Sequence, residues 1–186
     1  SFFYTTRDAA LRPHRLYRHV LGTDPSLDAL LVEEKDESYF LILGQSRSKA
    51  YIWAFMHSTT TDEWKYLPND GSTYEFKTFQ ARVKGIEYQV EHAGDHFFVT
   101  TNEAALNFKL MRTPLDATTK ENWQEVLPHR TDTLITGMDA FDDFLVLFCV
   151  GHEGYVLALA HLGVTAVFAS IPVPHAHREI RARLYI

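Results

Sequence analysis

The chain alternates short apolar runs with single turn-forming residues. In the stretch that begins near Gly85 the runs are IEYQVEH, HFFVTT, NFKLMRT and WQEVLPH. They are separated by Gly94-Asp95, by Asn102, and by Pro114 with Asp116. Alternation places successive side chains on opposite faces of a strand, and Gly, Asp and Asn let the chain reverse between strands. The pattern predicts four antiparallel strands. YFLILGQ, AYIWAF, EWKYLP and TYEFKTF make a second set, and TLITGM, FLVLFC, YVLALA and AVFASI a third. A helical reading fails, because apolar spacing of i, i+3 and i+4 is not sustained beyond about two turns. TRDAAL, with its echo TNEAAL, lies between strands and reads as a single turn.

The strand sets recur. SFFYTTRDAAL at the start returns as HFFVTTNEAAL, with Phe2 over Phe97, Thr5-Thr6 over Thr100-Thr101 and Ala9-Ala10-Leu11 over Ala104-Ala105-Leu106. One residue is then dropped, so that Leu16-Tyr17-Arg18 falls over Leu110-Met111-Arg112. Weaker copies at KAYIWAFMHSTTTDEW and DFLVLFCVGHEGYVL place Phe3, Tyr51, Phe98 and Leu145 at matching points. A fixed period of about 40–50 residues with four strands per period is the length of a propeller blade. The reading is an all-β chain, a partial β-propeller of about four blades. The blades run over approximately 1–37, 38–84, 85–132 and 133–174, with a tail strand over 178–186. The first blade begins at its second strand. Phe3, Tyr51, Phe98 and Leu145 are expected to be largely buried between blades.

Composition narrows the function. Apolar residues make up 46% and charged residues 23%, a globular balance. The net charge of −6 and the absence of a basic patch argue against nucleic acid. Cys149 is the one cysteine, so a disulfide framework is excluded and a reducing compartment such as the cytoplasm is expected. No apolar run reaches the roughly 18 residues of a membrane helix, and no membrane partner is expected. The chain starts at Ser1, without Met and directly in strand-like sequence, which reads as a piece of a longer polypeptide.

The wording of the strands is also distinctive. LYRHVLGTDPSLDALLVEEKDESYFLILGQSRSKAY and GIEYQVEHAGDHFFVTTNEAALNFKLMRTPLDATTKENWQEVLPHR resemble consecutive stretches of the propeller in the oligopeptidase B group of the prolyl oligopeptidase family of serine peptidases. Arg18-His19, Gly22-Thr23, Glu33 through Asp36, Glu87-Tyr88, His92, Asn107-Phe108 and Trp123 through Arg130 carry the likeness, which covers roughly residues 1–145. The resemblance implies a seven-bladed propeller that caps an α/β-hydrolase domain and filters oligopeptides cut after Lys or Arg. It places the catalytic Ser, Asp and His in the hydrolase domain, which would be the same-chain partner of these residues. The rival reading is a free-standing small propeller that binds a protein or peptide.

Within these residues no catalytic group, cofactor or metal is expected. Gly44-Gln45-Ser46-Arg47-Ser48 falls short of the nucleophile elbow G-x-S-x-G, because Ser48 replaces the last Gly and a strand follows where a helix is needed. His175-x-His177 lies among prolines and reads as a loop. His92 and His129, near strand ends, read first as structural hydrogen bonders. Acidic residues cluster at Glu33, Glu34, Asp36 and Glu37 and at Asp139, Asp142 and Asp143. Such runs are usually solvated, although a negative vestibule would concentrate basic peptides. Alternation puts Glu87, Gln89 and Glu91 on one face of their strand, so Glu87, Glu91 and His92 are the candidate substrate-channel residues. An open arc or self-association is expected over a four-bladed ring closed by REIRARLYI upon Phe2–Thr6, because Arg181 and Arg183 would need partners in a crowded central strand and four blades would need a wider angle between blades than seven; the exposed end blades should then make the chain sticky.

Overall fold

The computed structural model describes residues 1–141, 144–151, 154–161, 169–170 and 183–184, with side chains described as far as Gly151. Contacts divide the chain into two compact units, Ser1–Ile86 and Glu87–Ile186. The described residues are strands and turns, with two three-residue 3-10 turns at Pro25–Leu27 and Lys120–Asn122.

The first unit holds two sheets. Sheet 1 orders β1 (Phe2–Arg7), β2 (Pro13–His19) and β3 (Ala29–Glu33), all antiparallel. Sheet 2 orders β4 (Phe40–Gln45), β5 (Tyr51–His57), β6 (Asp62–Pro68) and β7 (Lys77–Gln80). Alternate residues from both sheets meet in one core, where Leu16 and Val32 pack with Tyr39, Leu41, Ala54 and Met56. The opposite face of sheet 2 is an aromatic ladder. Phe55 stacks on Trp64 with centroids 4.6 Å apart, and Trp53 meets Trp64 edge-on. Gly44 stands directly across from Trp53 in the ladder, and a Cβ there would already touch the indole at 3.8 Å.

The second unit repeats the plan. Sheet 3 orders β8 (Tyr88–Ala93), β9 (His96–Thr101), β10 (Lys109–Pro114) and β11 (Gln124–Leu127). Sheet 4 orders β12 (Thr133–Ala140), β13 (Phe144–Gly151) and β14 (Gly154–His161). Phe98, Leu110 and Leu127 of sheet 3 close a core with Ile135, Leu145, Leu147 and Cys149 of sheet 4. A further pair, β15 (Ala169–Ser170) and β16 (Arg183–Leu184), is antiparallel. The rest of the 178–186 tail lies outside the described residues.

The sequence repeat is also a repeat of register. Phe3 stands opposite Arg18 and Thr5 opposite Leu16, while Phe98 stands opposite Arg112 and Thr100 opposite Leu110. The dropped residue falls in the connecting loop, not in either strand. The TRDAAL turn is closed by Leu11 N–H donating to the Asp8 carbonyl, with Leu11 at φ 63°. The four matching points divide. Phe98 and Leu145 are buried, at 5% and 1% exposure. Phe3 and Tyr51 are only half-buried, which corrects the expectation that all four are largely enclosed. Phe3 lies on an edge strand, and Tyr51 is the first residue of β5, where the turn opens the sheet to water.

Candidate functional site

The candidate channel residues lie on or beside β8, the edge strand of sheet 3. Glu87 immediately precedes β8 and is fastened to the turn that follows β9. Its N–H donates to Asn102 Oδ1 at 2.9 Å, its carbonyl accepts from the Thr101 hydroxyl at 3.1 Å, and its carboxylate accepts from Asn102 Nδ2 at 3.2 Å. Gln89 is exposed and Glu91 half-buried, on the face that alternation assigns them. The Glu91 carboxylate accepts the His92 N–H at 2.8 Å. The His92 side chain turns to the other face with Tyr88 and Val90, is 9% exposed, and meets Phe97 edge-on at 5.5 Å. The strand therefore brings Glu87 and Glu91 to one side and carries His92 to the opposite one. Burial holds the His92 imidazole below the usual histidine range, against the opposing pull of its hydrogen bond with the Gly94 backbone. That favours a neutral ring.

Ser46 sits in the turn between β4 and β5 and is 2% exposed. Its Oγ accepts the Tyr51 N–H at 3.0 Å and lies 2.9 Å from Ser48 Oγ, while its backbone N–H donates to the Tyr51 carbonyl. The hydroxyl is consumed in closing the hairpin. Lys49 takes φ 61° to complete the turn, and β5 follows, so the geometry is that of a strand-to-strand turn.

The acidic run at 33–37 is largely neutralised by arginines that are remote in sequence. Glu33 pairs with Arg15 at 2.8 Å. Glu34 pairs with Arg82, which also donates from Nε to Glu63 at 3.2 Å and lies over the Tyr39 ring at 3.9 Å. Asp36 accepts the N–H and hydroxyl of Ser38. Beneath this layer Arg12 is buried, 7% exposed, and its Nη1 donates to the carbonyls of Glu34, Asp36 and Tyr39 while Nε donates to Asp8. The run is thus a cross-linked joint between the end of sheet 1 and the start of sheet 2. Sequence spacing missed Arg12, Arg82 and Tyr39, since Arg12 reaches the Glu34 carbonyl across 22 residues and Arg82 reaches Glu63 and Glu34 across 19 and 48, which leaves no local signature.

Glu63 shows what the joint does electrostatically. Burial pushes its carboxyl up, but the hydrogen bonds from Arg82 outweigh this and leave it below the ordinary value of 4.5. His129, the other singled-out histidine, is half-buried after β11, and its buried Nε2 has no hydrogen-bond partner among the described residues. Asp142, Asp143, His175 and His177 lie outside the described residues.

These sheets have known counterparts. A family model described as the N-terminal beta-propeller domain of prolyl oligopeptidase matches residues 1–178. The chain belongs to the prolyl oligopeptidase family. Among curated relatives of this family, Dipeptidyl aminopeptidase BI of Pseudoxanthomonas mexicana is 36% identical over 149 residues, covering 79% of this chain and 20% of that protein. Protease 2 of Moraxella lacunata is 38% identical over 162 residues, covering 82% and 23%. Among solved structures, oligopeptidase B from Trypanosoma brucei with covalently bound antipain, in a closed form, superposes with a TM-score of 0.79 at 26% identity, over 87% of this chain and 23% of that one. Oligopeptidase B from Leishmania major has a TM-score of 0.81 at 24% identity, over 86% and 22%, a likeness of fold. The fold is a partial β-propeller, and the chain spans about a fifth of the length of these relatives. In the family this propeller sits in one polypeptide with a catalytic hydrolase domain.

Proposed function

We propose that these residues are the non-catalytic, substrate-filtering part of an oligopeptidase B-like serine peptidase that cuts oligopeptides after Lys or Arg in the cytoplasm. The observation that carries the reading is the match to relatives named Protease 2 and oligopeptidase B across about four-fifths or more of this chain. The one serine that the sequence set beside a nucleophile motif is locked in a hairpin, which supports a reading in which the hydrolase domain supplies the chemistry. A ring of blades over an active site selects by size, because a folded protein cannot thread a channel that an extended peptide can. In this reading Glu87 and Glu91, half-buried at the edge strand of sheet 3, bias the passage toward basic peptides.

The test compares the full-length polypeptide with a form lacking residues 1–186. Full-length protein should turn over Lys- and Arg-ending chromogenic peptides and spare a folded protein of the same composition. The truncated form, if it retains hydrolysis, should lose that discrimination. A full-length protein that prefers Pro or neutral residues would overturn the assigned specificity. One that hydrolyses nothing would favour the binding-module alternative.

A further inference from the structure

The first strands of sheets 2 and 3 carry opposite chemistry at matching places. β4 and β8 each lie at the edge of their sheet, and sheet 2 has a sheet before it and others after it in chain order. The repeat sets Tyr51 over Phe98, and so Phe55 over Asn102. Ile42 stands opposite Phe55 in the ladder, while Glu87 is fastened to Asn102. Ile42 therefore takes the place of Glu87, and Phe40 lies two residues before it on the same face. Both are open to water, Phe40 at 50% exposure and Ile42 at 43%. Across the ladder the row continues into half-buried Phe55 and His57, whose rings are 5.6 Å apart. Between them Leu41 points to the other face and is buried with Leu16 and Met56, so the strand that presents the pair is anchored. One exposed apolar side chain is ordinary, but edge strands are commonly blunted with charge. The opposite edges, KTFQ in β7 and QEVL in β11, each carry a charge, whereas FLILGQ in β4 carries none.

We infer that Phe40 and Ile42 are an apolar subsite for the oligopeptide substrate, on the strand of sheet 2 that corresponds to β8. The inference rests on the assigned function and adds a substrate class to it: oligopeptides that carry a bulky apolar side chain as well as Lys or Arg. Glu87 and Glu91 act on the basic part of such a peptide, and Phe40 and Ile42 receive the apolar part. An extended peptide suits the site, because its side chains at i and i+2 share one face with the same spacing as Phe40 and Ile42 on β4. The two contributions differ in kind. Apolar contact removes surface from water on both partners and acts only at short range. The carboxylates act through a potential that salt screens. A preference for the apolar side chain should therefore persist at ionic strengths that weaken the preference for positive charge.

The test uses the full-length polypeptide and two chromogenic peptides that share a Lys at the cleavage point and differ only upstream, with Leu and Phe in one and Ser and Asn in the other. The ratio of their kcat/KM values should favour the apolar peptide by about fivefold or more. It should hold when salt is raised. Phe40→Ser combined with Ile42→Ser should bring the ratio close to one, and Phe40→Leu combined with Ile42→Val should retain it, which a merely structural role would not predict. No preference in the parent overturns the inference, as does a preference that the double Ser variant keeps. If a short Lys-ending peptide is cleaved while the ratio is flat, the subsite falls and the assigned specificity stands. A polypeptide that cleaves neither peptide overturns both.

Discussion

Phe98→Ala probes the packing of the second unit directly. The ring is 5% exposed and lies in the cluster with Leu110, Leu127, Ile135, Leu145 and Leu147. Losing the burial of such a ring accounts for about 1.5–3 kcal/mol. The neighbours come from rigid, hydrogen-bonded strands of two sheets and cannot collapse fully into the space, so a cavity cost is added. The sum for a buried Phe→Ala is about 3–5 kcal/mol. With a urea slope of roughly 2 kcal/mol per molar, the unfolding midpoint should fall by about 2 M. Phe3→Ala, half-buried on β1, should lose roughly half as much. Leu106→Ala, at 86% exposure, should stay within about 0.5 kcal/mol of the parent. The assay is urea denaturation followed by tryptophan fluorescence, with the slope compared between variants. A Phe98→Ala midpoint shift no greater than that of Leu106→Ala would refute the burial of the Phe98 ring between sheets 3 and 4.

Arg82→Ala should cost about 1–3 kcal/mol at pH 7, because it strips partners from the Glu34 and Glu63 carboxylates, which are 8% and 12% exposed. In the parent chain the depressed Glu63 carboxyl gives stability that is present above the ordinary value of 4.5 and lost as pH falls through its folded value. In the variant burial is opposed by Lys65, 3.4 Å away, without the help of Arg82, so that carboxyl rises relative to the parent and the cost should shrink between pH 7 and pH 4, as urea midpoints would show. His92, depressed by burial, contributes stability that is present above its ordinary value of 6.5 and lost as pH falls through its folded value. An NMR titration should find its midpoint below 6.5, and a midpoint above that would contradict the burial argument. Ser46→Ala should cost about 0.5–1.5 kcal/mol through the lost hairpin hydrogen bond. The isolated chain should not cleave a Lys- or Arg-ending chromogenic peptide, and turnover abolished by Ser46→Ala would sink that expectation.

Strands, turns and the repeat were legible in the sequence because they are local. Alternation with period two, Gly94-Asp95 at a reversal, and FFxTTxxAAL written twice are properties of neighbouring residues. β9 and β11 fall within the runs that alternation marked out, and β8 and β10 pass theirs by one residue, to Ala93 and Pro114. The placing of Gln89 and Glu91 on one face follows from the same periodicity, whereas His92, grouped with Glu87 and Glu91 as a channel candidate, is carried to the opposite face. The family was legible through the wording of the strands, which carries more information than their pattern. Only the tertiary structure decided which charges are spent. Glu33 and Glu34 read as solvated acids until Arg15 arrives from β2 and Arg82 from the connection after β7, and Arg12 is buried because three carbonyls from a remote turn converge on it. It also decided that equal residues have unequal environments. Phe2 and Phe97 are identical in sequence and in register with their next strand, yet one is half exposed and the other enclosed, because burial depends on what packs against both edges and both faces of a strand. Periodicity describes the strand itself, whereas its neighbours are set by contacts between residues far apart along the chain.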